Sequence, residues 1–156
     1  MKKFTFSLSA LYDVKKTQRD KLQGEHAAAA AVHRAAVERK ESLEKTLHEK
    51  KEEYELKAKN GMTVSDLLGY DNYFEELQGE IKTAGMDIER ALQEVNRKMN
   101  ELVAVFKEIK VLEKLYEKQY SEYLKDMEKS ETKAVEDIVS FKVTDGKDEA
   151  KSGSAL

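Results

Sequence analysis

From Asp71 to about Phe141, the residues Phe74, Ile81, Ile88, Val95, Leu102, Ile109, Tyr116 and Tyr123 follow one another at steps of seven. That spacing places them on one nearly straight line down a helix, the signature of a coiled-coil seam. A second line beside it takes Leu77, Ala84 and Ala91 and then, displaced by one residue, Met99, Phe106, Glu113, Tyr120, Met127, Ala134 and Phe141. The displacement predicts an apolar stripe wider than a two-position seam, with a local change of winding near Asn96. No proline interrupts the run, so one helix is expected over about 72–141. At a rise of ~1.5 Å per residue it would be on the order of 100 Å long. A helix of that length must find its partner in the rest of the chain.

The partner is an earlier helix over about 7–59, opened by the hydroxyl of Ser7 or Ser9. Its apolar line is Leu8, Leu11, Tyr12, Leu22, Ala29, Val32, Ala36, Leu43, Leu47 and Tyr54, with Lys15, Gln18, Glu25 and Lys50 among the intervening seam positions. Between 60 and 71 the periodicity fails. Asn60-Gly61 is a natural left-handed helix stop, Thr63 to Asp66 can start one short turn, and Asn72 with Glu75 can form a capping box for the second helix. Two long helices joined by so short a connection must lie antiparallel. The fold class expected is therefore all-α, a long antiparallel two-helix coiled-coil hairpin over 1–143. Reversal about 60–71 makes opposed positions add to about 131, which sets Ala29 against Leu102 and Ala36 against Val95, large against small. By the same rule Phe4 and Phe6 lie beside Met127 and Tyr123, and both chain ends share one end of the hairpin. After Phe141, Thr144-Asp145-Gly146 ends the pattern, and 144–156 is read as a disordered tail.

Composition narrows the function classes. Charged residues make up 38% of the chain, but 28 basic and 31 acidic side chains are intermixed and leave a net charge of −3, so there is no basic field for nucleic acid. Cysteine is absent, which removes disulfides, thiolate metal sites and cysteine nucleophiles together. No stretch approaches the ~20 apolar residues that span a bilayer, and the opening Met1-Lys2-Lys3 passes into an amphipathic helix and not a signal sequence. His26 and His33 share a helix face, yet structural zinc needs about four ligands and none completes the set; all three histidines are expected to be exposed. No metal, cofactor or catalytic residue is assigned, since the chain holds no phosphate loop or nucleophile motif. An enzyme is not expected.

Two features stay open between a packing and a binding role. Tyr116, Tyr120 and Tyr123 are either wide-seam core residues with hydroxyls at the edge, the more usual case, or an aromatic contact for a partner. Ile138, Val139, Phe141 and Val143 either finish the seam or leave an apolar end for another protein to cover.

With Phe4-x-Phe6-x-Leu8-x-x-Leu11 at the start, a short reversal near Asn60, and Glu128-x-x-Glu131-x-x-x-x-Glu136-Asp137-Ile138 near the end, the chain resembles the flagellar export protein FliJ family over about residues 2–143. The resemblance implies an antiparallel two-helix coiled coil similar to the gamma stalk of rotary ATPases. It implies a place in the cytoplasm at the inner membrane, at the base of the flagellum. There the terminal end would enter the hexameric export ATPase of the type III export apparatus, matched here by Lys2, Lys3, Phe4, Phe6, Glu131, Glu136, Asp137, Ile138 and Phe141. The family's contact with the membrane-embedded export gate protein FlhA would fall on Tyr73 and Leu77, in Tyr70-x-x-Tyr73-Phe74-x-x-Leu77, although the seam also claims Leu77. Chaperones of filament-type substrates are further partners implied. The isolated chain is expected to be a monomeric hairpin, a swapped dimer being its rival. The opposing readings are a coiled-coil spacer or tether and an RNA-binding helical hairpin; intermixed acids argue against the latter.

Overall fold

The protein, seen in a computed structural model, is described for residues 2–152, with side chains up to Lys147. It consists of two long helices packed against each other, α1 (Ser9–Asn60) and α2 (Val64–Ser152), and no strand occurs among the described residues. The chain forms two compact units. One, the turn unit, is Lys15–Lys107; the other, the terminal unit, joins Met1–Val14 to Glu108–Leu156.

The reversal is far shorter than the 60–71 expected. Helix α1 stops where Gly61 takes φ +97°, a left-handed conformation that costs glycine little and other residues considerably more. Lys57 and Lys59 sit in its last turn, beside the negative end of the helix dipole. Thr63 starts α2 at once: its hydroxyl oxygen accepts from the Asp66 amide at 3.1 Å, and its carbonyl accepts from the Leu67 amide at 3.0 Å. The cap is thus Thr63 and not Asn72, which lies inside the helix. Heptad periodicity fails over 64–71 because this turn of α2 faces solvent, leaving Val64 and Leu68 exposed; a solvated helix needs no apolar stripe.

At the other end, Thr144-Asp145-Gly146 does not stop α2, which continues to Ser152. Gly146 stays helical, and Thr144 returns its hydroxyl to the Ser140 carbonyl at 2.9 Å. Glycine in a helix costs about 1 kcal/mol without terminating it. The expected disordered tail is corrected accordingly for 144–152, and residues 153–156 lie outside the described residues.

The second seam line of α2 is not displaced. Leu77, Ala84 and Ala91 are followed at the same step by Val105 and Leu112, all buried, with Lys98 between them at 17% side-chain exposure. Met99 and Phe106, expected in the seam, are 44% and 41% exposed. The change of winding expected near Asn96 is absent because Lys98 takes the seam position expected of Met99; its aliphatic stem lies in the seam while its ammonium reaches a partner. Helix α1 keeps the same alternation, with Leu22 and Ala29 buried and His26, His33, Ala36, Lys40, Leu43, Leu47, Lys50 and Tyr54 half-buried between and beyond them. His26 and His33 are therefore seam residues and not exposed ones, and Val32, assigned to the line, points outward.

Within the turn unit, the opposed pairs Glu25 with Lys98, Lys50 with Tyr73 and Tyr54 with Tyr70 add to about 124, not 131. The expected register is wrong by one heptad. The cause is the turn: its centre lies at 62 and not near 65, and a hairpin doubles that error. Because the error equals the repeat, the same seam lines still face one another with each partner shifted by seven, so Ala29 falls opposite Val95.

Two measurements test this arrangement. Spin labels at Ser42 and Glu80 should be closer than labels at Ser42 and Asp87 in a sample diluted with unlabelled protein; the reverse order would restore the longer turn, since a heptad is ~10 Å along the axis. Substitution at two glycines should act in opposite directions. Gly24 is helical with nothing within 4 Å of an added Cβ, so Gly24→Ala should raise stability in chemical denaturation by about 0.8 kcal/mol. Gly61→Ala should lower it by about 1 kcal/mol.

Candidate functional site

The terminal unit is fastened by aromatic rings. Helix α1 begins at Ser9, its first turn closed by the Tyr12 amide on the Leu8 carbonyl at 2.9 Å, so no helical residue before it covers the next part of α2. The non-helical arm before Ser9 takes over. Phe4 meets Tyr116, Tyr120 and Tyr123 at ring-centre distances of 5.5, 5.2 and 5.3 Å, and Phe6 meets Tyr116 edge to face at 5.4 Å. Such contacts contribute about 0.5–1.5 kcal/mol each beyond the area they bury. The Tyr123 hydroxyl donates to the Lys2 carbonyl at 2.9 Å and ties the arm down. All three tyrosines pack on the arm, but Tyr116 and Tyr120 remain 44% and 41% exposed, so they are not the seam core residues of the packing reading.

Phe4 and Phe6 are half-buried clamps, whereas Lys2 and Lys3 beside them are exposed. Farther along α2, Glu131, Glu136 and Asp137 are exposed, and Ile138 and Phe141 are 58% and 69% exposed. Val135, Val139 and Val143 share this condition. Of the two readings of this segment, the seam one fails, because at the seam's own spacing α2 carries Asp126, Ser130, Lys133, Asp137 and Ser140. An apolar stretch is thus left open to solvent on a helix that lacks an α1 partner here.

In the turn unit a second cluster surrounds the other candidate residues. Tyr54 packs edge to face on Tyr70 and Phe74 at 5.5 and 5.8 Å. Glu53 accepts from the Tyr70 hydroxyl and from Lys50 Nζ, both at 3.0 Å. The Lys50 hydrogen bond, and after it that of Tyr70, holds the Glu53 carboxyl below its ordinary value, while Glu53 raises Lys50. Lys57, raised chiefly by the Tyr70 hydroxyl, lies over the Tyr70 ring at 5.4 Å. Lys50 also lies 5.9 Å from the centre of Tyr73. Tyr73 is partly accessible, but Leu77 is only 4% exposed. Leu77 is a core residue, which removes it from any surface contact; at the start of a seam, an aromatic and a leucine four apart mark packing as readily as binding.

Sequence reading missed the bridge between Lys98 and Glu25, joined at 2.6 Å. Its signal was present: Lys98 lies seven residues after the buried Ala91, and only the corrected register brings Glu25 opposite. The hydrogen bond from Lys98 lowers the Glu25 pKa and raises that of Lys98. Among the described residues no group of His, Cys, Asp and Glu is arranged to hold a metal ion, and no helix is long and apolar enough to cross a membrane.

Heptad-paired helices, a left-handed glycine reversal and ring-clamped ends define an antiparallel helical hairpin of coiled-coil type. The chain belongs to the flagellar FliJ family: the family model described as Flagellar FliJ protein matches residues 4–147. That family serves flagellar protein export as a non-catalytic component. Among curated proteins and among solved structures there is no significant match.

The Lys98 bridge carries a pH signature. Because Glu25 titrates lower folded than unfolded, its contribution is complete above the unfolded value and is lost as pH falls through the folded one; Lys98, raised on folding, contributes fully below its unfolded value and loses that as pH rises through the folded one. Glu25→Gln should therefore melt below wild type near pH 7, and the difference should close by about pH 2. An unchanged difference across that range would show that the carboxylate charge is not what Lys98 uses.

Proposed function

We propose that this chain is a non-catalytic coiled-coil component of the flagellar export apparatus whose terminal unit docks on the hexameric export ATPase, promoting its assembly and activity. The observation that carries this reading is the apolar face of α2 around Ile138 and Phe141, left without a partner from this chain. Exposed apolar patches of this kind mark protein contacts. The choice of the ATPase as the partner rests on the resemblance to the FliJ family. Glu131, Glu136 and Asp137 on the same segment, with Lys2 and Lys3 on the arm, would set its orientation by charge, while Phe4 and Phe6 hold the arm in place. Hydrolysis belongs to the ATPase; this chain contributes a stiff element on which its subunits can bear.

In the same proposal, Tyr73 in the turn unit meets the export gate protein FlhA, and other surfaces escort filament-type substrate chaperones. The isolated chain is a monomeric hairpin in the cytoplasm, held at the inner membrane only through these partners.

Replacing Ile138 and Phe141 together with serine should abolish most stimulation of the export ATPase while helicity is retained, because neither side chain packs on α1. Tyr73→Ala should spare stimulation and weaken capture by FlhA. Full stimulation by the helical double variant would refute docking through this face and leave a simple tether as the better account.

A further inference from the structure

We infer that a groove in the terminal unit, walled by Phe6, Tyr12 and Tyr116, receives a cationic side chain, specifically an arginine presented by a partner polypeptide. The groove has a volume of about 450 Å³ and is floored by Leu112, with Glu113 and Glu117 at its rim. Its walls are aromatic and its lining holds two carboxylates and no lysine or arginine, in a chain with 28 basic residues. This combination selects one chemistry. A neutral apolar side chain would use the walls but would leave both rim carboxylates without a partner in it. An anion would be repelled. A guanidinium satisfies both halves, since it stacks flat on aromatic faces and donates in a planar fork to carboxylates.

Local geometry prepares the rim. The Tyr12 hydroxyl donates to Glu113 Oε1 at 3.3 Å, which ties that carboxylate to the aromatic wall. Tyr116 is stacked against Tyr120 with an interplanar angle of 8° and meets Phe6 and Phe4 in T-shaped contacts, yet it is still 44% exposed. The wall is therefore assembled from rings that already contact one another, and a pre-formed wall lowers the ordering cost of recognition. A lysine would gain the charge attraction and lose the planar stacking, and so should bind more weakly.

This inference is separate from docking through Ile138 and Phe141 and stands or falls without it. The full chain should be titrated with N-acetyl-arginine amide and with N-acetyl-citrulline amide, its neutral isostere, while the ring resonances of Tyr12 and Tyr116 are followed by NMR. Arginine amide should give saturable shifts, with citrulline amide about tenfold weaker. Glu113→Gln with Glu117→Gln should remove that difference, and helicity of the variant checks that the fold survives. Equal binding of the two amides to wild type would show an apolar slot only, and absence of saturable shifts with arginine would overturn the site; both results are read on wild type, so the inference stays falsifiable if the double variant unfolds.

Discussion

A heptad seam cannot by itself choose its register. Sliding one helix along the other by seven residues returns seam positions to seam positions, so every such offset satisfies the alternation of buried and exposed residues. In this hairpin the choice is made by a few backbone atoms: Gly61 in the left-handed region and the Thr63 hydroxyl on the Asp66 amide. These fix where α1 ends and α2 begins, and every contact between the helices follows. The pairing of Glu25 with Lys98, of Tyr54 with Tyr70 and Phe74, and of Lys50 with Tyr73 all depends on that turn.

Polar seam residues then make the chosen register more favourable than its neighbours. An offset by one heptad would cost Lys98 its 2.6 Å bond to Glu25 and leave it half-buried with only the 3.7 Å contact to Glu101 of its own helix. A poorly paired charge in a seam is costly, whereas the pair itself adds little net stability over an apolar one. Single polar residues at seam positions are the best-attested devices for setting register in coiled coils. Lys98 with Glu25 fits that role, and the Glu53 cluster beside the turn fits it as well. Alanines at 29, 84 and 91 are buried and let the backbones approach, so this hairpin joins close packing to a few polar locks.

Much of this was legible in the residues. The two helices, their antiparallel sense and the glycine stop follow from spacing and turn chemistry, whereas Phe4 and Phe6, expected beside Met127 and Tyr123, meet Tyr116, Tyr120 and Tyr123 instead, in line with the shifted register. What was not legible had physical causes. The first turns of α2 carry no stripe because they face water, so a helix there looked like a loop. The seam position of Lys98 looked like that of Met99 because a lysine's apolar stem does not show in an apolar pattern. Gly146 looked like a stop because a glycine's backbone conformation cannot be read from its name. At the candidate sites, Leu77 illustrates the limit of a short pattern: aromatic and leucine four apart describe a helix face, and only burial tells whether it looks inward. The groove between Phe6, Tyr12 and Tyr116 is assembled from residues more than a hundred positions apart, and no local pattern announces it.

The bare stretch of α2 around Ile138 and Phe141 has a thermodynamic meaning beyond its stickiness. A helix without tertiary support relies on short-range propensity and side-chain pairs alone, so its amides should open and exchange with solvent far faster than those beside Leu102 or Ile109. Whatever covers this stretch therefore stiffens it in the act of binding. Part of the association energy of any partner that covered it would go to quieting the helix, so the apolar surface alone would overstate the affinity.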